Sequence, residues 1–187
     1  ILLNSDTEVT PKWVENLQRC AYSSSKVGTV TPLSNNSGAF SAPVANKPNK
    51  LPSWSGKDSI ATAIFANSSF LYPEIPTGNG FCLYIKRSLI DNIGYFDDAL
   101  FPKGYGEEND FCLRARKSGW KNLLDDSSYI FHERSASFKN EKSKLIAKAK
   151  SIIDRKYPYY QKEVKSFHES KLINLSRHRI KEVFENG

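Results

Sequence analysis

A turn followed by a cluster of acidic side chains constrains the fold of this chain more than any other feature. Glu107, Glu108 and Asp110 follow a Gly-Tyr-Gly turn and stand at the start of a predicted helix. Glycine permits the sharp turn, and the partial positive charge at a helix N-terminus favours carboxylates. Gly119 is placed to end the same helix as a C-terminal cap. The segment therefore predicts a helix that opens with negative charge.

Strand and helix patterns alternate along the first two thirds of the chain. The expected elements are a short apolar strand at 2–4, a helix at 10–22 with Pro11 in its first turn, a strand at 27–32 ended by its proline, an irregular loop at 33–59, a strand at 81–85, a helix at 87–93 closed by Gly94, the acidic helix, and a strand at 129–132. This order predicts an α/β domain with a mixed sheet flanked by helices. With 187 residues, 39% of them apolar, the chain can bury one substantial core.

Composition and cysteine usage narrow the class of protein. Cys20, Cys82 and Cys112 are odd in number and have no metal-ligand spacing, so we expect free, mostly buried thiols and a reducing compartment. No apolar run approaches the roughly 20 residues that a membrane helix needs, and no signal-peptide pattern is present, so we expect a soluble chain. The chain opens on an apolar strand at 1–3 that would need neighbours on both sides, and we therefore expect preceding residues in a larger protein.

The last third of the chain has a different character. The net charge of +7 comes largely from Lys and Arg after Lys139, and helical spacing extends over 139–156 and 160–184, with Pro158 between. The charged residues favour a solvated face, and the alternative is a helix that docks on a membrane surface or a partner. We therefore divide the chain into a domain at 1–138 and a helical tail or linker at 139–187. The apolar stripe expected on the last helix consists of Val164, Phe167, Leu172, Leu175 and Val183.

Two further groups of residues predict a chemical site. Asn4 and Asp6 follow the first strand, and His132 ends the last strand of the domain. Taken singly, an Asn-Ser-Asp-Thr sequence is more often a turn or a helix cap, a Glu-Glu pair more often compensates a helix dipole, and such a histidine is more often a partly buried ring. Their joint order along the chain, together with the acidic helix, predicts one site for a divalent cation and for sugar transfer.

In this order the motifs resemble those of family 2 glycosyltransferases with the GT-A fold, over about residues 1–138. The D-x-D metal motif of the family is similar to Asn4-Ser5-Asp6, with asparagine in place of the first aspartate. A subset similar to rhamnosyl- and galactosyltransferases also has Leu-Asn-x-Asp-Thr at this point. The last metal ligand of the family is similar to His132.

The remaining motifs of the family also have counterparts in this chain. The family has a glycine-containing segment before a strand, where donor and acceptor sugars meet, and residues 76–81 match it. The family has a Glu-Asp pair at a helix start that resembles Glu107-Glu108, and Asp110 and Arg114 also fall in the family pattern. The resemblance thus implies a set of donor- or acceptor-binding residues: Thr77, Gly78, Asn79, Glu107, Asp110 and Arg114.

The resemblance implies the chemistry of the site. An inverting transferase needs a carboxylate within hydrogen-bond reach of the acceptor hydroxyl, and Glu108 is the expected base. A Mg²⁺ or Mn²⁺ ion would be held by Asp6, His132 and Asn4. This ion would neutralise the charge that develops on the leaving nucleoside diphosphate.

The three acids of the predicted helix cannot all face the substrate. Glu107 and Asp110, at i and i+3, share a helix face that differs from the face of Glu108, so one of the acids is expected to be structural. Asp110 can pair with Arg114, an i to i+4 contact of about 0.3–0.5 kcal/mol on an exposed helix.

The resemblance also implies a cellular setting. A hexosyl or deoxyhexosyl group would pass with inversion from a nucleotide-diphospho-sugar to a growing surface polysaccharide of the cell envelope or to a lipid-linked acceptor. The nucleotide-binding strands of the fold would precede Ile1, so this part alone is expected to bind donor poorly. The tail is similar to linker helices that lead to a further transferase domain in the same parent chain. We expect a cytoplasmic protein with peripheral contact to the inner membrane surface and no nucleic-acid partner.

Two other classes of function remain open. A non-catalytic module that binds glycans or nucleotide-sugars is favoured by Asn4 in place of an acid and by the missing nucleotide half. A nucleic-acid-binding module is favoured by the basic tail, but no recognised motif is present, and the basic residues are interspersed with Glu163, Glu169 and Glu182. We rank the transferase first and nucleic-acid binding last.

Overall fold

The computed structural model describes residues 1–102, 104–133 and 139–186. Strands and helices are interspersed up to residue 132, and helices follow. In chain order the elements are β1 (Leu2–Leu3), β2 (Thr7–Glu8), α1 (Trp13–Ala21), β3 (Val27–Ser34), a 3₁₀ turn (Gly38–Phe40), α2 (Lys57–Asn67), β4 (Glu74–Ile75), β5 (Cys82–Ile85), α3 (Arg87–Ile93), α4 (Glu107–Lys117), β6 (Lys121–His132), α5 (Lys139–Lys156), α6 (Tyr160–Glu169) and α7 (Lys171–Asn186).

A mixed β-sheet forms the centre of the domain. β3 and β6 pair in parallel, and β5 pairs antiparallel with β3. β1 extends the sheet beyond β5, while β2 and β4 pair antiparallel with β6. Every residue of β3 is buried, and so is all of β6 after Lys121, as expected for strands that are covered on both faces. The prediction of an α/β fold with a mixed sheet flanked by helices is confirmed.

One hydrophobic core joins the sheet to helices from both ends of the chain. Leu17 of α1 and Ile60 of α2 are buried in the same cluster as Val30 and Tyr129 of the sheet. Burying a large apolar side chain of this kind contributes about 1.5–3 kcal/mol. The tail helices are therefore packed on the domain, and the boundary predicted at residue 138 lies outside the described residues. The tail adds four apolar side chains to this core: Phe167, Ile173, Ile180 and Val183.

Glycines mark the helix ends that were predicted correctly. α3 covers Arg87–Ile93, and Gly94 follows it with a φ of 78°. Gly119 has a φ of 84° just after α4, and its N–H donates to the Arg116 carbonyl at 3.0 Å. Glycine adopts positive φ at little cost because it has no Cβ. Both predicted helix ends are confirmed.

Two element boundaries differ from the prediction. α1 begins at Trp13 rather than at residue 10, because Lys12 has a left-handed backbone with a φ of 61°. Pro32 does not end β3, and the strand continues to Ser34. The pairing with β6 shifts register between Pro32 and Leu33, as expected where proline has no N–H to offer the ladder.

Two helical regions also differ from the prediction. α2 begins inside residues 33–59, which were expected to be irregular. The sequence did not reveal this helix, because its apolar side chains do not repeat with one-sided helical spacing. The helix predicted at 160–184 is two helices, α6 and α7, which are separated at Ser170. Leu172 and Leu175 of the expected stripe are 47% and 39% exposed, and Ile173 and Ile180 are buried instead.

The first strand lies at the edge of the sheet. Within the described ranges β1 pairs only with β5, and Leu2 and Leu3 are 42% and 41% exposed. The burial that was expected for residues 1–3 is therefore not observed.

Two predictions from composition can be compared with the structure. Cys20, Cys82 and Cys112 are free and buried, as predicted. None of the described helices combines the length and the apolar character needed to cross a membrane.

Candidate functional site

The pairing of β2 with β6 brings the predicted metal ligands together. Thr7 pairs with His132 in this antiparallel ladder, and the Glu133 N–H donates to the Asp6 carbonyl at 2.9 Å. His132 Nε2 therefore lies 3.1 Å from Asp6 Oδ1 and 3.5 Å from Asn4 Nδ2. The structure thus places these three side chains side by side, as the sequence order predicted.

The His132 ring is held from its other side. Its Nδ1 lies 3.0 Å from the Asn36 carbonyl oxygen and 3.0 Å from Ser37 Oγ. A carbonyl oxygen only accepts hydrogen bonds, so the contact with Asn36 is a hydrogen bond in the state in which Nδ1 carries a proton, and Nε2 is the nitrogen that faces Asp6. Phe81 stacks on the ring with 5.5 Å between centroids. These contacts fix both the orientation of the ring and the nitrogen that it presents.

Asp6 and His132 bring a carboxylate oxygen and an imidazole nitrogen within 3.1 Å of each other, and both are atom types that can ligate a metal ion. A ligating histidine usually donates its second ring N–H to a carbonyl or carboxylate, as His132 does. Mg²⁺ typically takes one or two carboxylates from the protein and completes its shell with water and phosphate oxygens. Across the described ranges, no group of three or more His, Cys, Asp and Glu side chains could hold a metal.

Glu108 lies at the opening of α4. Gly106 precedes the helix with a φ of 108°, and its N–H donates to Glu108 Oε2 at 3.3 Å. Burial raises the pKa of Glu108, and the nearby charge of Glu107 raises it further. A carboxylate with a raised pKa is a stronger base near neutral pH, which is what general-base catalysis requires.

Residues 77–81 connect Glu108 to the group around His132. A Cβ built on Gly80 would lie 4.0 Å from the Glu108 carboxyl carbon. At the next residue, the Phe81 carbonyl accepts from the Asn4 N–H at 3.0 Å, and the Phe81 ring stacks on His132. The predicted base and the predicted metal ligands therefore lie beside two consecutive residues, Gly80 and Phe81.

The middle of this segment is tightly packed. The Gly78 N–H donates to Cys112 Sγ at 3.3 Å, and the Asn79 N–H donates to Thr31 Oγ1 at 3.0 Å. A Cβ at Gly78 would lie 2.4 Å from Leu83 Cδ1 and 2.6 Å from Thr31 Oγ1. Any larger residue at this position would displace its neighbours, so the glycine lets the segment lie close against β3 and β5.

A cavity of about 360 Å³ opens beside Glu108. α4 supplies Glu108 and Asn109 to its lining, and α5 and α6 supply most of the rest. Tyr160 of α6 also lines the cavity, and its hydroxyl lies 2.9 Å from Thr77 Oγ1. The predicted base thus borders a space that is linked by a hydrogen bond to the predicted binding segment.

Asp110 forms a buried network that ties α4 to α5. Its fully buried carboxylate accepts from Arg114 Nε at 2.9 Å, from Lys156 Nζ at 2.7 Å and from the Tyr157 hydroxyl at 2.8 Å. Burial alone would raise the pKa of Asp110, but hydrogen bonds from these three donors outweigh it and lower the pKa below its usual value. The predicted pair of Asp110 with Arg114 is confirmed, although the position is buried rather than exposed.

Arg114 and Glu107 are the other two residues of α4 that were predicted to bind donor or acceptor. The Arg114 guanidinium also donates to the Ile93 carbonyl at 2.8 Å and to the Tyr95 carbonyl at 2.6 Å. Glu107 Oε2 is buried with no hydrogen-bond partner among the residues that the structure describes. Arg114 therefore holds the chain after α3 in place.

Several of these contacts were not predicted from the sequence. Asn36 and Ser37 lie in the loop that was expected to be irregular and exposed, and no local signal marks them as neighbours of a histidine. Lys156 and Tyr160 lie in the segment that was treated as a separate tail. The aromatic run at 157–160 is the one signal that could have revealed this packing, because buried tyrosines usually find a hydrogen-bond partner.

Comparison with known proteins does not add a family to this description. A scan against protein-family models found no match, and a search of curated proteins found no relative. Function is therefore inferred from the residues and the geometry of the site.

Proposed function

We propose that this chain is the catalytic part of a GT-A-type inverting glycosyltransferase, similar to family 2. The arrangement around residues 77–81 supports this most. Glu108, a partly buried carboxylate with a raised pKa, lies beside Gly80, and the pair of Asp6 and His132 lies beside the next residue, Phe81. Sugar transfer from a nucleotide-sugar requires a base for the acceptor and a group that neutralises the leaving diphosphate.

In the proposed reaction Glu108 takes the proton of an acceptor hydroxyl. As that O–H bond breaks, the acceptor oxygen forms a bond to the anomeric carbon of the donor sugar. The bond from this carbon to the diphosphate oxygen breaks on the opposite face, and its electron pair leaves with the nucleoside diphosphate. Burial of Glu108 increases its basicity, and the adjoining cavity gives the acceptor a place beside the carboxylate.

Asp6, His132 and Asn4 would hold the divalent cation that this reaction requires. Mg²⁺ or Mn²⁺, when bound, supplies positive charge that stabilises the leaving diphosphate. The chain itself contributes orientation, because the Asn36 carbonyl and the Phe81 ring keep His132 Nε2 directed at the carboxylate.

The proposed donor is a nucleotide-diphospho-sugar that carries a hexosyl or deoxyhexosyl group, and the proposed acceptor is a surface polysaccharide or a lipid-linked glycan. The proposed location is the cytoplasm, at the inner membrane surface. On α5, Lys144, Lys148 and Lys150 are exposed near the exposed Ile146. Cations around an exposed apolar side chain favour contact with anionic headgroups.

Donor turnover by the native polypeptide that contains this chain tests the proposal. Nucleotide-sugars would be incubated with Mn²⁺ or Mg²⁺, and release of nucleoside diphosphate would be measured. Wild type should turn over one donor, and Glu108→Gln and Asp6→Ala should lose at least about 100-fold in rate. Glu169→Gln, on an exposed part of α6, is the matched control and should keep the rate. A folded protein that turns over none of the donors contradicts the proposal.

A non-catalytic module that binds glycans or nucleotide-sugars is the second candidate. It is favoured by Asn4 in place of an acid, and by the lack, among the described residues, of a third carboxylate or imidazole beside Asp6 and His132. Binding of a nucleotide-sugar that is unchanged in Glu108→Gln, with no turnover, would support this second candidate.

A further inference from the structure

The cavity beside Glu108 has an apolar and a polar part. Its apolar lining comes from α5 and α6, with Ile146, Ile153 and Val164. Its volume of about 360 Å³ is at the lower end of the range of about 300–1,000 Å³ for small-molecule sites. A pyranose ring has a C–H face and a rim of hydroxyls, and so matches a lining of both kinds. The polar side chains of the lining are Tyr105, Glu108, Asn109, Lys150, Tyr160 and Gln161.

Contacts between the helices hold this cavity in shape. Besides the buried Asp110 network, Arg116 of α4 forms an ion pair with Glu163 of α6. Gln161 of α6 donates to Asp154 of α5 at 2.7 Å. A cavity that is already formed before the ligand arrives loses less conformational freedom on binding.

Tyr160 couples the cavity to the segment at 77–81. Burial raises the pKa of Tyr160 to about 12, so its phenol stays protonated at neutral pH. Its hydroxyl lies 2.9 Å from Thr77 Oγ1, and the same side chain lines the cavity beside Glu108. A ligand in the cavity is therefore next to both the carboxylate and the segment that contacts the group around His132.

We propose that α5 and α6 select the acceptor, by binding one pyranose ring of it in this cavity. The C–H face of the ring lies on Ile146, Ile153 and Val164, and one hydroxyl is directed at Glu108. This inference rests on the proposed function, because Glu108 acts there as the base. It assigns acceptor specificity to helices that lie outside the motifs on which the resemblance was based.

Binding of simple methyl glycosides tests this inference without any donor. The methyl pyranosides of glucose, galactose, mannose, rhamnose and N-acetylglucosamine would be titrated into the protein, with saturation-transfer NMR as the readout. At least one should bind wild type, and Ile146→Trp should weaken it at least about 10-fold by filling the cavity. Leu172→Trp on α7 is the matched control, since Ile146 and Leu172 are 46% and 47% exposed. It should leave the affinity unchanged.

Three results would overturn the inference. They are a folded wild type that binds none of the glycosides, an Ile146→Trp variant that binds as tightly as wild type, and an equal loss in Leu172→Trp. Failure of the proposed function is distinguishable from these. If a glycoside binds and Ile146→Trp abolishes its binding while no donor is turned over, transfer is refuted and the saccharide site stands. If a donor is turned over and Ile146→Trp leaves the acceptor KM unchanged, transfer stands and the acceptor site is refuted.

Discussion

Replacing Asp110 with asparagine tests whether a buried charge network anchors the tail helices to α4. The carboxylate is fully buried, and Arg114, Lys156 and Tyr157 all donate to it. Asparagine has almost the same size, so the packing is preserved. The substitution removes the negative charge, and in either orientation its amide N–H₂ faces Arg114 or Lys156, which carry positive charge and can only donate.

The expected loss is about 2–3 kcal/mol in the free energy of unfolding. Removing one partner from a buried ion pair costs about 3–5 kcal/mol, because the remaining charge is left without compensation. Arg114 and Lys156 are 24% and 37% exposed, so water can solvate the stranded cations in part and the cost is lower. For a chain of this length, such a loss corresponds to a decrease in Tm of about 5–10 °C.

The effect should also depend on pH. The folded state lowers the pKa of Asp110 below its ordinary value of 3.8. A carboxyl of this kind stabilises the fold fully above the unfolded pKa, and this contribution is lost as the pH falls through the lower folded pKa. The difference in stability between wild type and Asp110→Asn should therefore be constant near neutral pH and should shrink below about pH 4.

Urea titrations of both proteins between pH 3 and pH 7 would measure this difference. Glu169→Gln is the control, because Glu169 belongs to an exposed i to i+4 pair with Lys165 and should leave the unfolding midpoint unchanged. A loss below about 0.5 kcal/mol at pH 7 would refute the anchoring role. A difference that stays constant through pH 3 would show that the carboxylate charge is not its cause.

Other substitutions probe the segment at 77–81 and the two chemical groups. Gly78→Ala should cost about 1–3 kcal/mol in urea titrations, because an added Cβ would meet two side chains at less than 3 Å. Gly56→Ala, where a Cβ meets nothing within 4 Å, should cost less than about 1 kcal/mol, and only because alanine is a poorer N-cap for α2 than glycine. Glu108→Gln should raise Tm at pH 7, because the folded state raises the pKa of Glu108 and so disfavours its charged form. The gain should disappear as the pH falls below the ordinary value of 4.5, and thermal melts at several pH values would show whether it does. His132→Gln should weaken Mn²⁺ binding in the presence of a nucleoside diphosphate by at least about 10-fold, as measured by electron paramagnetic resonance, and an unchanged affinity would remove His132 from the ligand set.

Local signals were sufficient to predict α3 and α4. The ends of these helices depend on neighbouring glycines, and the acids at the start of α4 respond to the helix dipole, so each signal lies within a few residues of its effect. α2 could not be found in the same way. Its apolar residues show no one-sided spacing, and its helical state depends on packing against β6 and α7.

The candidate site was predictable only in part, because some of its contacts join residues that are far apart in sequence. Asn4, Asp6 and His132 were expected together because of their joint order along the chain and the resemblance to a family, and the structure brings them together through the pairing of β2 with β6. Asn36 and Ser37, which hold the imidazole, are more than 90 residues from His132 in sequence and reach it through tertiary packing. No pattern in the loop at 33–59 carries that information.

Two acids at the start of α4 have opposite pKa shifts, and this difference separates their roles. Burial and the charge of Glu107 raise the pKa of Glu108, whereas hydrogen bonds from two cations and a tyrosine outweigh burial and lower the pKa of Asp110. Neighbouring titratable groups whose environments move their pKa values apart are typical of sites with divided acid–base roles. Asp110 stays ionised and anchors α5, while Glu108 borders the cavity that α5 lines. In the proposed transfer reaction, a substitution at Asp110 should therefore act through the position of α5, and so alter the acceptor KM more than the pH dependence that we attribute to Glu108.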